Sequence, residues 1–515
     1  MLGCHRTEGV FMNLMVEARL PLEWGCWLGS PNRHTYTEGS NDKGLSKKED
    51  LDIGKDFFKY HKNIIPDADS KEVLFSIDGS SNYELLIPKT VYPPREDSAL
   101  LIDCINELKS PNGKALEIGC GSGIVSIALA RNGWDVEALD INPFAVISTK
   151  ENIRRIGFEK KICVREGGVG EDNFSIPKGV KLIVWNLPYL TPPSENEERL
   201  EWIEEASMSD LADKSWGQRL AEFLELEKDN LDPELLVILL QRKYPESPSK
   251  TIHWTDFGWS HRVLDSRWLF DEKLEVLAYW KPGLGDQVKK LKQCESTMDE
   301  AKKLPQKGWQ RVITEKQTGG RGRRGSSWIS KHQDLLATWS IRKTILEAID
   351  PGLLQVLIGS KIANILDQYC KWPNDIVNSR GEKIGGILIE MDSVNDNLRI
   401  GLGINQFDDY VEELKIGGWK QKSMGLKLDE LFRIIDTELS SFLEHHPLLR
   451  YQSEESKNIA EAWRNLSKLL SRGYSLKKNQ KGHRVLKLES NGELLTTTGH
   501  QQLNIRDIDS LEWSF

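Results

Sequence analysis

The segment Lys114–Ile118 (KALEI) is a short apolar strand that runs directly into Gly119-Cys120-Gly121-Ser122-Gly123, and Ile124–Asn132 (IVSIALARN) then repeats at helical spacing. A strand, a glycine turn and a helix in immediate succession leave few folds open. The helix must pack back on its strand, so the following strand lies parallel to the first. The chain continues in that way. Gly133 fits the helix cap, and Val136–Asp140 (VEALD) is the next strand. Pro143–Ile156 is a helix with Pro143 in its first turn and Gly157 just past its end. Lys181–Trp185 and Leu235–Leu240 read as further strands. The alternation predicts a mostly parallel α/β sheet over residues 56–285.

The glycine turn also carries chemistry. Its backbone can approach a ligand closely, and the helix N-terminus offers N–H donors. Asp140 lies 21 residues after Gly119, at the end of the next strand, where a carboxylate can accept from both hydroxyls of a ribose. Glu117, Gly119, Gly121 and Asp140 are therefore candidate cofactor-binding residues. NAD, FAD and S-adenosylmethionine sites all use such a turn. The strand ending at Trp185 narrows the choice, because Asn186-Leu187-Pro188-Tyr189 follows it. An Asn side chain and a proline carbonyl can hold an amino group with its lone pair aimed at a methyl donor. A tyrosine can stack on a planar amide or base. Asn186, Pro188 and Tyr189 are the catalytic candidates here.

On these residues the region resembles the amino-methyltransferases with an N-P-P-Y motif, and most closely the HemK-type release-factor glutamine methyltransferases. Tyr92-Pro93-Pro94-Arg95-Glu96-Asp97-Ser98 is similar to the Y-E-P-x-E-D-T segment of the eukaryotic and archaeal branch. Two departures stand out. Leu187 replaces the first proline of the motif, and Arg165-Glu166-Gly167-Gly168 lacks the Asp that relatives direct at the adenine. The resemblance implies a Rossmann-like class I methyltransferase sheet, S-adenosylmethionine as cofactor and a peptide-chain release factor as acceptor. It also implies a small zinc-binding activator subunit as partner. An exocyclic amino group of adenine is the competing acceptor. The region shows no dense basic face, which favours a protein amide.

Beyond Lys281–Asp286 (KPGLGD), a plausible boundary, a second α/β region covers 286–465. Gly320-Arg321-Gly322-Arg323-Arg324-Gly325 fits G-x-G-x-x-G, but no apolar strand precedes it and no helix follows, so the dinucleotide reading fails. Arginines among glycines also suit a basic nucleic-acid or nuclear-import patch. Other landmarks flank the loop. Glu295-Ser296-Thr297-Met298-Asp299-Glu300-Ala301 stands before it. Lys371-Trp372-Pro373-Asn374-Asp375, Lys383–Glu390 (KIGGILIE) and Gly401-Leu402-Gly403-Ile404-Asn405 come after it. In this order the motifs resemble the biotin–protein ligases.

That resemblance implies a class II synthetase-like α+β domain. It would join biotin to ATP as biotinyl-AMP and pass the biotin to a lysine of a separate biotin-carrier domain. Negative charge accumulates where a carboxylate meets the α-phosphate, and cations must offset it while water is kept out. By resemblance Ser296, Thr297, Gln317 and Arg321 belong to the biotin side, Gly320 to the cofactor-binding set, and Arg323 helps retain the adenylate. Trp328 packs near the adenine, Asn405 reaches the nucleotide, and Lys371 belongs to the same site. Asp375 holds Mg2+ or a polar partner near the attacking amine, and Lys383 contacts both biotin and phosphate as a catalytic residue.

Leu426–Leu443 is an amphipathic helix, and residues 466–515 alternate as short strands around an Asn491-Gly492 hairpin. Many biotin ligases end in a comparable SH3-like barrel. Residues 1–55 are rich in Gly, Ser, Asn and Lys and read as a poorly ordered extension. The 515 residues carry 69 Lys+Arg against 78 Asp+Glu, a net charge of −9, which argues against a protein that coats nucleic acid. No apolar run is long enough to span a membrane, and the N-terminus lacks a signal-peptide pattern. Seven cysteines without a C-x-x-C pair point to a reducing, cytoplasmic setting. Some biotin ligases begin with a DNA-binding helix-turn-helix. Here the methyltransferase-like region takes that place, so no repressor role is expected. The reading is a bifunctional enzyme. Its alternatives are a ligase with a non-catalytic methyltransferase-like scaffold, or a front half that methylates nucleic-acid amino groups.

Overall fold

The computed structural model describes residues 70–77, 79, 82–109, 113–190, 209–211, 213–305, 308–331, 333–391, 396–411, 413–421, 425–450, 455–478, 481–506 and 511–514. The expected N-terminal extension lies outside them. A hairpin of β1 (Ser70–Ser76) and β2 (Asn82–Pro88) leads into α1 (Glu96–Asn106). Then come β3 (Lys114–Ile118), α2 (Ile124–Arg131), β4 (Asp135–Asp140), α3 (Pro143–Ile156), β5 (Ile162–Glu166), β6 (Val180–Asn186), α4 (Trp216–Leu226) and β7 (Leu236–Tyr244). The short α5 (Ile252–Thr255) precedes β8 (Ser260–Leu269) and β9 (Glu272–Trp280). These strands form one sheet in the order β5-β4-β3-β6-β7-β9-β8. The first five are parallel and the last two antiparallel. Strand order reverses beside β3, so the carboxyl ends of β3, β4 and β6 open onto one crevice. Apolar clusters cover both faces, with Leu182, Val184 and Leu240 on one side and Ile183, Val237 and Leu239 on the other.

The second half is also mixed α/β. Its elements are β10 (Lys289–Leu291), α6 (Thr297–Lys302), β11 (Trp309–Thr314), β12 (Gly320–Arg321), β13 (Ser327–Trp328), β14 (Leu335–Arg342) and α7 (Pro351–Ile365). They continue as β15 (Tyr369–Lys371), β16 (Asp375–Val377), β17 (Lys383–Met391), β18 (Asn397–Ile404), β19 (Asp409–Val411), β20 (Leu414–Ile416), α8 (Leu428–Leu443) and α9 (Glu455–Leu470). The main sheet runs β10-β11-β14-β18-β17-β16-β15, and β12 pairs only with β13 as a small flap. The terminal β21 (Ser475–Lys478), β22 (Lys481–Leu488), β23 (Leu494–Thr498), β24 (Gln501–Ile505) and β25 (Leu511–Ser514) form an antiparallel sheet. The strands expected from residue 466 start later, because α9 runs on to Leu470 and packs on α7.

The two halves meet along α8. Ser260 and Ser440 hydroxyls lie 2.7 Å apart, and Arg262 donates to the Ser441 and Glu444 carbonyls at 2.9 and 3.1 Å. The Glu444 side chain accepts from Trp280 Nε1 at 3.2 Å and from Gly283 N at 2.9 Å. Within Lys281–Asp286, Gly283 is buried against α8, while Gly285 and Asp286 are exposed. Burial pushes the Glu444 carboxyl up to about 7 from an ordinary 4.5, with Asp436 adding to the rise and Arg311 opposing it. Its contribution to stability is thus complete below about pH 4.5 and fades as the pH climbs through about 7. Glu444→Gln should remove this dependence, a difference on the order of 3 kcal/mol across the window. Urea unfolding at several pH values checks it; parallel pH slopes for wild type and variant would show that Glu444 does not titrate there.

Candidate functional site

The first site lies at the carboxyl ends of β3, β4 and β6. Gly119, Gly121 and Gly123 all adopt positive φ (69, 53 and 83°), which side-chain-bearing residues rarely take. The Asp140 carboxylate fastens the turn, accepting from Gly121 N and from Asn142 N at 2.9 Å each. Burial raises its pKa above the ordinary range. Glu117 turns inward to accept from the Ser126 hydroxyl of α2, and burial lifts its carboxyl to about 8. It anchors the helix from beneath the crevice.

Asn186 ends β6. Its Nδ2 donates to Asp97 Oδ2 at 2.9 Å, while its Oδ1 is buried and has no hydrogen-bond partner among the described residues. A buried acceptor without a donor is rare, and it marks where an incoming N–H could bind. Asp97 is buried at the start of α1, and the Tyr92 hydroxyl stands 3.4 Å from the same oxygen. Asp97 belongs to the Glu96-Asp97-Ser98 segment, and its sequence position alone does not tie it to Asn186. Tyr189 is buried, which raises its phenol pKa, with Asp97 adding to the rise. The structure also accounts for Leu187. Its N–H donates to Leu240 O at 3.1 Å, continuing the ladder with β7, and its side chain is 1% exposed. A proline there would lack that donor. Pro188 follows it as the chain leaves the sheet.

The second site is a cavity of about 280 Å3 between the flap and the β17–β18 pair. Ser296, Thr297, Gln317, Arg321, Arg323, Trp328, Asp375 and Lys383, all expected there, line it together. Ser296 caps α6, accepting from Met298 N at 3.3 Å. Gln317 Oε1 accepts from the Thr297 N–H and hydroxyl at 2.7 and 2.9 Å, fixing both at the rim. Lys383 Nζ lies 2.7 Å from Asp375 Oδ1 and 5.6 Å from the centre of the Trp328 ring. That ring lies over Gly403, where a Cβ would come within 2.5 Å of it. Gly320 admits the Trp328 carbonyl, which a Cβ would meet at 2.6 Å.

Two expected residues stand behind the cavity. Asn405 is buried, and its amide donates to Lys383 O at 3.1 Å and Gly417 O at 3.3 Å. It fixes the backbone that carries Lys383. Lys371 lies deeper, where burial lowers its ammonium pKa and Asp375 opposes that shift. Its neighbour Trp372 donates to Gly492 O at 2.8 Å, so the terminal hairpin braces this turn. Arg321 is held by Asp299 and Glu390, two carboxylates that the sequence reading left unassigned. Asn374, likewise unassigned, lies 3.5 Å from Arg323 Nη1. Among the described residues no group of three side chains could hold a metal, so Asp375 offers one carboxylate at most. No helix among them is long and apolar enough to cross a membrane.

Comparison with known proteins finds a family match in each half of the chain. Residues 288–406 match the model of the biotin/lipoate A/B protein ligase family, and residues 96–187 that of the ribosomal protein L11 methyltransferase (PrmA). The bifunctional ligase/repressor BirA of Bacillus spizizenii is 36% identical over 131 residues, covering 23% of this chain and 40% of that protein. The ribosomal RNA small subunit methyltransferase C of Alcanivorax borkumensis is 37% identical over 97 residues, covering 18% and 28%. A release factor glutamine methyltransferase of Clostridium acetobutylicum is 28% identical over 108 residues, covering 20% and 38%. The chain therefore spans well under two thirds of the length of these relatives.

Proposed function

We propose that this chain, which carries a biotin/lipoate ligase domain and a methyltransferase-like region, is a bifunctional protein-modifying enzyme. The ligase half would attach biotin to a lysine of a biotin-carrier protein through biotinyl-AMP. The observation that carries this is the single cleft in which Lys383, Arg323 and Trp328 face Thr297 and Gln317. Lys383, drawn from Asp375 toward the ligands, offsets the charge that builds where the biotin carboxylate meets the α-phosphate. Pyrophosphate leaves, and the flap shields the mixed anhydride from water. Asp375, released from Lys383, then stands ready for a magnesium ion or for the carrier ammonium. The carrier lysine loses a proton to solvent, its amine attacks the acyl carbon, the bond from that carbon to the phosphate oxygen breaks, and AMP departs. Trp328 offers its ring to the adenine.

The front half would methylate a glutamine side-chain nitrogen, with a peptide-chain release factor as acceptor. S-adenosylmethionine supplies the methyl group as a sulfonium. The glycine turn and Asp140 suit its nucleoside end, in a Rossmann-like class I setting. Asn186 Oδ1, which has no partner among the described residues, and the Pro188 carbonyl would accept from the acceptor N–H, and Tyr189 would flank the amide plane. Catalysis is then mainly positioning. A small zinc-binding activator subunit and a cytoplasmic setting belong to this reading, as does an SH3-like role for the terminal strands. The likeness to a ribosomal RNA methyltransferase favours a second reading, methylation of a nucleic-acid amino group. Offering the purified full chain labelled S-adenosylmethionine with release factor, ribosomal RNA or DNA separates the two. Transfer to none of them would leave the front half a scaffold.

Asp97 gives a further expected result. Asp97→Ala leaves Asn186 Nδ2 unpaired and free to rotate, so the turnover of methyl transfer should fall about tenfold. Affinity for S-adenosylmethionine, measured by calorimetry, should stay within about twofold, because Asp97 acts through Asn186. Unchanged turnover would remove Asp97 from the site.

A further inference from the structure

We infer that Asp299 and Glu390 are positioning residues of the ligase site. They clamp Arg321 and thereby hold the β12–β13 flap over the place where the acyl-adenylate forms. The inference rests on the ligase reading above and deepens it.

Arg321 is a flap residue, on β12 opposite Ser327 of β13. Its Nη1 donates to Asp299 Oδ2 at 2.5 Å and its Nη2 to Asp299 Oδ1 at 3.1 Å. Its Nε and Nη2 donate to the two oxygens of Glu390 at 3.2 and 3.3 Å. The contact with each carboxylate is therefore two-pronged, the geometry in which a guanidinium fixes direction as well as distance. The anchors lie on different walls. Asp299 is in the first turn of α6, directly after Thr297 and Met298. Glu390 lies on β17, the strand that begins at Lys383. One flap side chain thus ties together the flap, the Ser296–Thr297 rim and the strand of Lys383.

The charges fit a clamp better than a phosphate ligand. Arg321 faces two carboxylates, with Lys302 3.4 Å from Asp299 and Arg399 3.7 Å from Glu390 as further cations. Its Nε, Nη1 and Nη2 all donate to those two carboxylates. Arg321 sets how tightly the flap closes, and so how long the adenylate stays.

The test uses the full chain and preformed biotinyl-AMP. Asp299→Asn and Glu390→Gln keep shape and remove charge. Each should speed the loss of biotinyl-AMP into solution about tenfold, and the pair about a hundredfold. The rate of biotin transfer from bound adenylate at saturating carrier domain should stay within about twofold. Asp299→Glu should restore part of the retention, and Lys302→Ala should leave it unchanged. If the paired variant holds biotinyl-AMP as long as wild type, the clamp is overturned. It is equally overturned if retention and the transfer step fall in parallel. A wild-type chain that forms no biotinyl-AMP overturns the ligase reading itself, and the clamp with it.

Discussion

Lys383→Ala should cut biotin-dependent exchange of pyrophosphate into ATP by at least about a hundredfold, the scale of removing one preorganised group from developing charge. Three features make this residue the sensitive one. Its ammonium reaches into the cleft beside Asp375 and over the face of Trp328. Its backbone is fixed by Asn405, so the side chain starts from one place. Its neighbour Arg321 is committed to two carboxylates and cannot replace it. The fold should tolerate the change. The side chain is 38% exposed, and a partly exposed ion pair of this kind contributes about 1 kcal/mol or less. Lys383→Arg should recover little, because a planar fork does not occupy the space of a compact ammonium. Methyl transfer should be untouched, since that crevice belongs to a different sheet. Loss of both activities would show that the sites are coupled.

Asn186→Ala should have an effect of similar size on the other activity, lowering methyl transfer about a hundredfold or more. The Asn186 amide is divided between two tasks. One end is tied to Asp97, and the other presents a buried oxygen without a donor among the described residues. Alanine removes that oxygen and leaves the Asp97 carboxylate without this donor. Cofactor affinity should change little, because Asp140 and the glycine turn do not depend on Asn186. Biotin ligation should be unaffected. A variant that still methylates at the wild-type rate would remove Asn186 from the chemistry.

Local signals made much of the first sheet legible. Strand β3 spans the predicted Lys114–Ile118, and α3 spans the predicted Pro143–Ile156 with Gly157 left-handed at its end (φ 88°). A proline at the first turn, a glycine past the last and apolar periodicity act within a few residues, so they can be read without tertiary knowledge. What depends on distant partners was not legible. β7 runs past Leu240 to Tyr244 because its polar end is paired with β9, and Arg242 meets Glu272 at 2.7 Å. The helix Glu455–Leu470 took part of a stretch expected to be strands, its apolar face being set by α7. In the sites, the motif residues converged, but their anchors did not announce themselves. Asp97 lies 89 positions from Asn186, and Glu390 lies 69 positions from Arg321. The packing of α1 against β6, and of the flap against α6 and β17, brings those carboxylates into reach.

Transfer of biotin to a protein lysine by residues of the second half can be read directly. The most direct measurement offers the purified full chain ATP, biotin or lipoate, and an equal mixture of a biotin-carrier domain and a lipoyl domain, with products read by intact mass. ATP-dependent biotin should appear on the carrier lysine and none on the lipoyl domain. Lipoate on the lipoyl domain, or no modification of either acceptor, would contradict it.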